Sequence, residues 1–303
     1  MIEKPTVLIL GAGASMPYGF PSNLELMNKI LKELKPNALH KLSRQIIDLG
    51  ISPDFIEKFI NSLSMAGKLS VDEFLEHNPK FSEIGKLAIT LILVKYEIES
   101  RLFAEDIRGN SWYEYLWNRL DAPFEDFDKN RLSIITFNYD RSIEHYLITA
   151  MTKLYGKSVK ACSEKLGEIP IIHVHGKLSS LPWQKGKAKR RYSNQHDEDI
   201  VMASKQIRVI AEKEDSSREF NKAYTIMDSA SKIYFLGFGY HPTNLRRLRI
   251  IELEKKRPLR TFQGTSEGKG VAERKEITKN WGIKLHHSEN TCIKFLRNHV
   301  VLQ

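Results

Sequence analysis

Cysteine is almost missing from this chain of 303 residues: Cys162 and Cys292 stand far apart, and no C-x-x-C pair occurs. Two isolated thiols can build neither a zinc ribbon nor a disulfide framework, so a reducing, cytoplasmic setting is expected. Long hydrophobic runs are lacking as well. The longest, LAITLILV at Leu87–Val94, is far shorter than the about 20 residues a membrane-spanning helix needs, and no basic-then-apolar leader precedes Pro5. The expectation is a soluble protein with no membrane partner. No internal repeat, low-complexity tract or long linker divides the sequence, so a single domain over 1–303 is the economical reading. The pair His286–His287 has no carboxylate or cysteine at ligand spacing, which makes it a strand edge and leaves no metal site expected.

Acidic residues are the minority charge, 37 against 47 lysines and arginines, giving a net charge of +10. Such a balance favours polyanions in general, whether nucleic acid, nucleotides or an acidic protein. Charge alone leaves direct nucleic-acid binding open. The densest basic run, KGKAKRR at Lys185–Arg191, has no interleaved aromatic before Tyr192. It reads equally well as a solvated loop and as a contact to phosphate or to a partner.

What the chain does contain is a series of short apolar runs of the kind that form buried parallel strands: TVLIL (6–10), LSIITF (132–137), IPIIHVH (169–175), KIYFLGF (232–238), and the weaker LRTFQG (259–264) and IKLHH (283–287). Helical patterns separate them, among them 140–156, which opens on Asp140 and closes on Gly156, and 217–231. Alternation of this sort predicts an α/β fold, a Rossmann-like doubly wound parallel sheet. Between the first and second strands, residues 23–128 carry helical spacing and no convincing strand, and are expected to form a large helical insertion.

In such sheets a ligand sits beyond the carboxyl ends of the strands, where the chain turns. The first turn, Gly11-Ala12-Gly13-Ala14-Ser15, follows a buried strand and suits an anion held by backbone N–H groups. It is no complete dinucleotide fingerprint, because G-x-G-x-x-G requires glycine where Met16 stands, followed by Pro17. The other strand ends are Thr136-Phe137-Asn138-Tyr139-Asp140, His173-Val174-His175-Gly176, Gly237-Phe238-Gly239-Tyr240-His241 and Gly264-Thr265-Ser266.

Taken in order, these ends resemble the sirtuin family. GAGAS with Gly19-Phe20-Pro21 behind it is similar to the sirtuin GAG-x-S turn and G-I-P element. TFNYD resembles T-Q-N-x-D at Thr136, Asn138 and Asp140, and HVHG resembles the catalytic H-G, with the histidine falling on His175. LGFGYHPTNLRRL, together with VDEFL (71–75) and WYEYLWNRL (112–120), resembles the divergent bacterial sirtuin-like proteins of antiphage defence. The likeness runs from the first strand to at least Leu248, about four fifths of the chain. Two departures stand out: the zinc-binding C-x-x-C pairs of the deacylases are missing, and Ser22 and Asn23 replace the acidic and basic residues that follow G-I-P.

The resemblance implies that NAD is the substrate and that it is cleaved to nicotinamide and ADP-ribose without an acyl-lysine, by an NAD-depleting effector of abortive infection. It implies control by self-assembly, by a separately encoded partner such as a HerA-type ATPase, an Argonaute-like or a nucleotide-processing protein, or by both. Cleaving the N-glycosidic bond passes through an oxocarbenium-like ribose, so acceptors near the ribose and a means of activating water are required. Asn138 is suited to hold a ribose hydroxyl or the water, His175 to act as general base, and Asp140 to orient the ribose or stabilise positive charge. The cofactor-binding set expected is Gly11, Ala12, Gly13, Ser15, Phe20, Pro21, Thr136, Gly237, Gly239 and Thr265, with the amides of residues 11–15 and the Gly237–Gly239 turn on the pyrophosphate. His173 competes with His175, and His241 is either a ligand contact or a polar loop residue. Asn138 and Asp140 also have bland readings as an Asx turn and a helix cap. Two other functions stay open: a module that senses NAD or ADP-ribose without turnover, and an NAD-dependent deacylase.

Overall fold

A computed structural model of the chain describes residues 1–36, 40–186, 188–209, 213–256, 260–286 and 291–302, the side chains of 213–217 excepted. Six strands, β1 (Thr6–Leu10), β2 (Leu132–Thr136), β3 (Ile171–His173), β4 (Lys232–Leu236), β5 (Thr261–Gly264) and β6 (Lys284–Leu285), form one sheet in the order β3-β2-β1-β4-β5-β6. Every pairing is parallel. The expected α/β, Rossmann-like doubly wound sheet is therefore the fold, with the strand order reversing between β1 and β4. Each strand falls inside its predicted run; β1 fills its run, and the others are shorter at one end or both. IKLHH contributes only Lys284–Leu285, and His287 lies outside the described residues.

Alternation along the strands divides the core in two. Leu8, Leu10, Ile134 and Leu236 face one layer of helices, whereas Val7, Ile9, Ile135, Ile233 and Phe235 face the other. The first layer is mostly the insertion between β1 and β2. There the helices Asn23–Glu33, Pro53–Met65, Val71–His77 and Trp112–Arg119 all start on a serine, Ser22, Ser52, Ser70 or Ser111, whose hydroxyl accepts the N–H three residues on. These caps fix where each helix begins, and one of them sets the wall of the site below. On the second face the helix Lys213–Ser229 supplies Phe220, Ala223 and Met227, and Leu245, Ile250 and Leu253 follow β4.

After β2 the helix Ser142–Tyr155 starts one residue later than a cap at Asp140 would set it. Its cap residue is Arg141, while the Asp140 carboxylate accepts the Ser142 N–H and hydroxyl. Gly156, in the left-handed region at φ 61°, ends it as expected. No helix among the described residues is long and apolar enough to cross a membrane.

Candidate functional site

Because β1, β2 and β4 are in register, Leu10, Thr136 and Leu236 end side by side, and the turns that follow them meet at the point where the strand order reverses. A cavity of about 110 Å³ lies there. Its walls come from the β1 turn (Gly11, Ala12), the β2 turn (Phe137, Asn138), His175 beyond β3 and the β4 turn from Phe238 to His241. Its remaining wall is the start of the helix Val71–His77, which brings Asp72 and Glu73 across from the sheet.

The glycines act first on each other. A Cβ on Gly11 would lie 2.5 Å from the Gly237 carbonyl oxygen, one on Gly13 2.8 Å from Gly237 Cα, and one on Gly237 2.1 Å from the Ala14 nitrogen. Gly237 also holds φ +56°, where a side chain is strained. Absence of side chains thus lets the β1 and β4 turns touch. Expected anion donors are used up by this contact, by the first turn itself and by the residue after β5: Gly11 N–H donates to Leu236 O, Gly13 to Gly237 O, Ala14 to Gly11 O and Ser15 to Ala12 O, and Gly237 N–H donates to Thr265 Oγ1. Of residues 11–15 only Ala12 keeps an N–H without a protein acceptor among the described residues, and on the β4 turn Gly239 does so too. Of the 11–15 amides expected to hold a pyrophosphate, those of Gly11, Gly13, Ala14 and Ser15 are therefore already engaged within the protein.

Asn138 is held by both of its side-chain protons, which go to Gly11 O at 2.9 Å and Ser15 Oγ at 3.0 Å. Its amide orientation is thereby fixed, and Oδ1, which has no partner among the described residues, is the acceptor left to the cavity. Ser15 passes its own proton to Asp140 Oδ2 at 2.7 Å. The result is a directed relay, Asn138 to Ser15 to Asp140. Asp140 is itself buried away from the cavity, and burial pushes its carboxyl above the usual range despite the hydroxyls of Ser142 and Ser15. The sequence suggested a place beside the ribose; in the structure Asp140 does not line the cavity and is linked to Asn138 only through Ser15.

The two histidines separate by environment. His173 directs Nδ1 to the Asn138 carbonyl and Nε2 to Glu144 Oε1, each at 2.9 Å. Burial would raise the Glu144 carboxyl, but His173 and Lys177 outweigh it and hold the group well below the usual carboxylate range. His175 is different: its ring nitrogens meet no protein partner among the described residues, and the ring packs edge-on to Phe137 and Phe220, with centroids at 5.4 and 5.7 Å. Burial first, and the Arg247 charge second, push its pKa down to about 3. His175 is therefore a neutral imidazole bordering the cavity, and His173 a buried strut behind Asn138.

Of the remaining candidates, Gly239 lines the cavity, but Gly13, Ser15, Thr136, Gly237 and Thr265 support it from behind. Thr136 Oγ1 accepts the Asn138 N–H at 3.0 Å, and Thr265 braces Gly237. Phe20 and Pro21 are buried in the core, Phe20 against Tyr96, and are corrected from cofactor contacts to packing residues. Ser22 caps a helix, while Asn23 reaches the cavity. His241 is drawn to Glu73, 3.4 Å away, bridging the insertion and the β4 turn.

Asp72, Glu73 and Asn244 were not anticipated. The S-x-x-E spacing of Ser70 and Glu73 marks a helix start, yet nothing in it says which strand end the helix faces. Asp72 takes the Tyr139 hydroxyl at 2.5 Å, and burial raises its carboxyl. Among the described residues no three His, Cys, Asp or Glu side chains cluster as a metal would require. Neither protein-family models nor curated proteins give a match to the chain.

Proposed function

We propose that this chain cleaves the N-glycosidic bond of NAD, consuming water and releasing nicotinamide, ADP-ribose and a proton. The observation that carries the reading is the joint presence, in one cavity at the reversal of the strand order, of an orientationally fixed Asn138 Oδ1 and the ring of His175. A carboxamide oxygen so held can accept from a ribose hydroxyl or from the attacking water, and an imidazole kept neutral can take up the proton. Ala12 and Gly239 N–H groups would meet the pyrophosphate. Its negative charge near Arg247 would offset the cation that depresses His175 and so raise the basicity of the imidazole.

The cavity is smaller than the about 300–1,000 Å³ of ordinary small-molecule sites. A dinucleotide needs this cavity to widen, and parting of Glu73 and His241, 3.4 Å apart in its wall, would widen it, in keeping with an enzyme kept silent until triggered. The likeness to the bacterial sirtuin-like proteins supports an NAD-depleting role in antiphage defence, released by oligomerisation or by a separately encoded partner. A second reading, sensing of NAD or ADP-ribose without turnover, is favoured by one observation: at a pKa of about 3 the resting His175 is a weak base. The deacylase alternative has no zinc ribbon to support it.

Calorimetric titration with NAD, followed by chromatography of nicotinamide and ADP-ribose, separates the readings. Release of nicotinamide that Asn138→Ala and His175→Ala abolish supports cleavage; saturable binding of NAD that survives intact supports sensing.

A further inference from the structure

Against the helix Ser142–Tyr155, which carries Glu144, lies a second, larger depression. It occupies about 450 Å³ between the helix Ser142–Tyr155 and the segment that follows β3, within the about 300–1,000 Å³ typical of small-molecule sites. Its walls are built around flat side chains. His145 and Tyr192 stack with centroids 4.1 Å apart and planes 9° from parallel, and Trp183 forms another wall. Arg141 lies 5.9 Å over the Tyr192 ring and helps fix the stack.

One buried donor in the wall is unsatisfied. Trp183 Nε1 is shielded from solvent and has no hydrogen-bond partner among the described residues. A buried donor left in this state is uncommon and calls for an acceptor. The charges at the rim are unequal as well. Lys153 and Arg191 border the depression with no ion-pair partner among the described residues, whereas its one carboxylate, Glu99, is engaged by His145 Nε2 at 3.0 Å. Aromatic walls, an unsatisfied donor and two uncommitted cations fit a planar ring that carries both an acceptor and negative charge.

We propose that this depression binds a nucleoside monophosphate, with the base against the Trp183 and His145–Tyr192 walls and the phosphate toward Lys153 and Arg191. The site is built into the catalytic frame. Gln184, next to Trp183, donates to Glu144 Oε1 at 3.3 Å and receives Lys177 at 2.7 Å; Glu144 in turn holds His173, which holds the Asn138 carbonyl. A base seated on Trp183 therefore bears on the strut that sets the position of Asn138, whatever reaction the catalytic cavity performs.

The test is calorimetric titration of the full chain with AMP, GMP, CMP and UMP in turn, with inorganic phosphate as the charge-only control. At least one nucleotide is expected to bind at a single site, at least tenfold tighter than phosphate. That binding should weaken at least tenfold in Arg191→Glu and in Trp183→Ala and persist in Asn138→Ala. Hydrogen exchange on the bound wild type should slow in residues 177–184 and 138–145. Arg191→Glu alters an exposed side chain and keeps the fold testable if Trp183→Ala does not fold. The proposal is overturned if none of the four nucleotides binds, if phosphate binds as tightly, or if binding ignores Arg191→Glu and is lost in Asn138→Ala, which would assign it to the catalytic cavity.

Discussion

Asn138 is informative because its orientation does not depend on a ligand. Gly11 O and Ser15 Oγ take both amide protons, so Asn138→Asp, which can donate neither and adds a charge, should lower turnover of NAD by at least about 100-fold while melting within a few degrees of wild type. Ser15→Ala cuts the relay to Asp140 without touching the cavity, and the expected loss is smaller, about 10- to 100-fold in kcat with KM little changed. Steady-state kinetics on the two variants distinguishes the cavity group from its support. His175 gives a test that needs no activity. Its folded pKa, about 3, lies below the ordinary value, so the fold favours the neutral ring; stability is full above about pH 6.5 and falls as pH drops toward 3. His175→Gln, which has no such proton to take up, should lose less stability than wild type between pH 7 and pH 4.5 in paired urea titrations.

Among the elements, the β1 and β4 turns behave as a single unit because their glycines interlock. Gly237→Ala would put a methyl 2.1 Å from the Ala14 nitrogen at a positive φ, and should destabilise the fold by about 2–4 kcal/mol, read by denaturant unfolding. The bridge from Glu73 to His241 is partly exposed and correspondingly weak, so Glu73→Gln should open the cavity at little structural cost and lower KM for NAD by at most about fivefold. The strands were legible in the sequence because each is a short apolar run closed by glycine or a polar residue, and TVLIL matches its strand residue for residue. Helix starts were less so. Asp140 has the look of a cap, yet its carboxylate is drawn to Ser15 as well as to nearby Ser142, and the contact with Ser15, 125 residues away, is one that no local pattern encodes.

Across the whole molecule, the insertion and the segment after β3 are tied together by charge in the interior. Arg141 and Arg190 both bond Glu97, all three side chains being fully buried. Burial lowers the Arg190 pKa and Glu97 opposes it, so Glu97→Gln, leaving two arginines facing a neutral group, should cost about 3–5 kcal/mol in chemical denaturation. Arg190 belongs to the basic run whose two readings, solvated loop or anion contact, did not include a buried strut; Lys187 of that run lies outside the described residues. The site divides in the same way. Asn138, His175, Gly11, Ala12 and Gly239 were found because they sit on strand ends, where the fold class itself says to look. Asp72, Glu73 and Asn23 come from the insertion, and only its packing on the sheet brings them to the cavity.

The central claim is that Asn138 and His175 together cleave NAD, and the most direct check is nicotinamide release by the purified chain, with and without proteins encoded beside it, against Asn138→Ala and His175→Ala of equal thermal stability. Release by wild type that both substitutions reduce by at least about 100-fold is expected. Release left unchanged by either substitution, or NAD that binds and is recovered intact under every condition, would mean that the cavity does not carry the reaction.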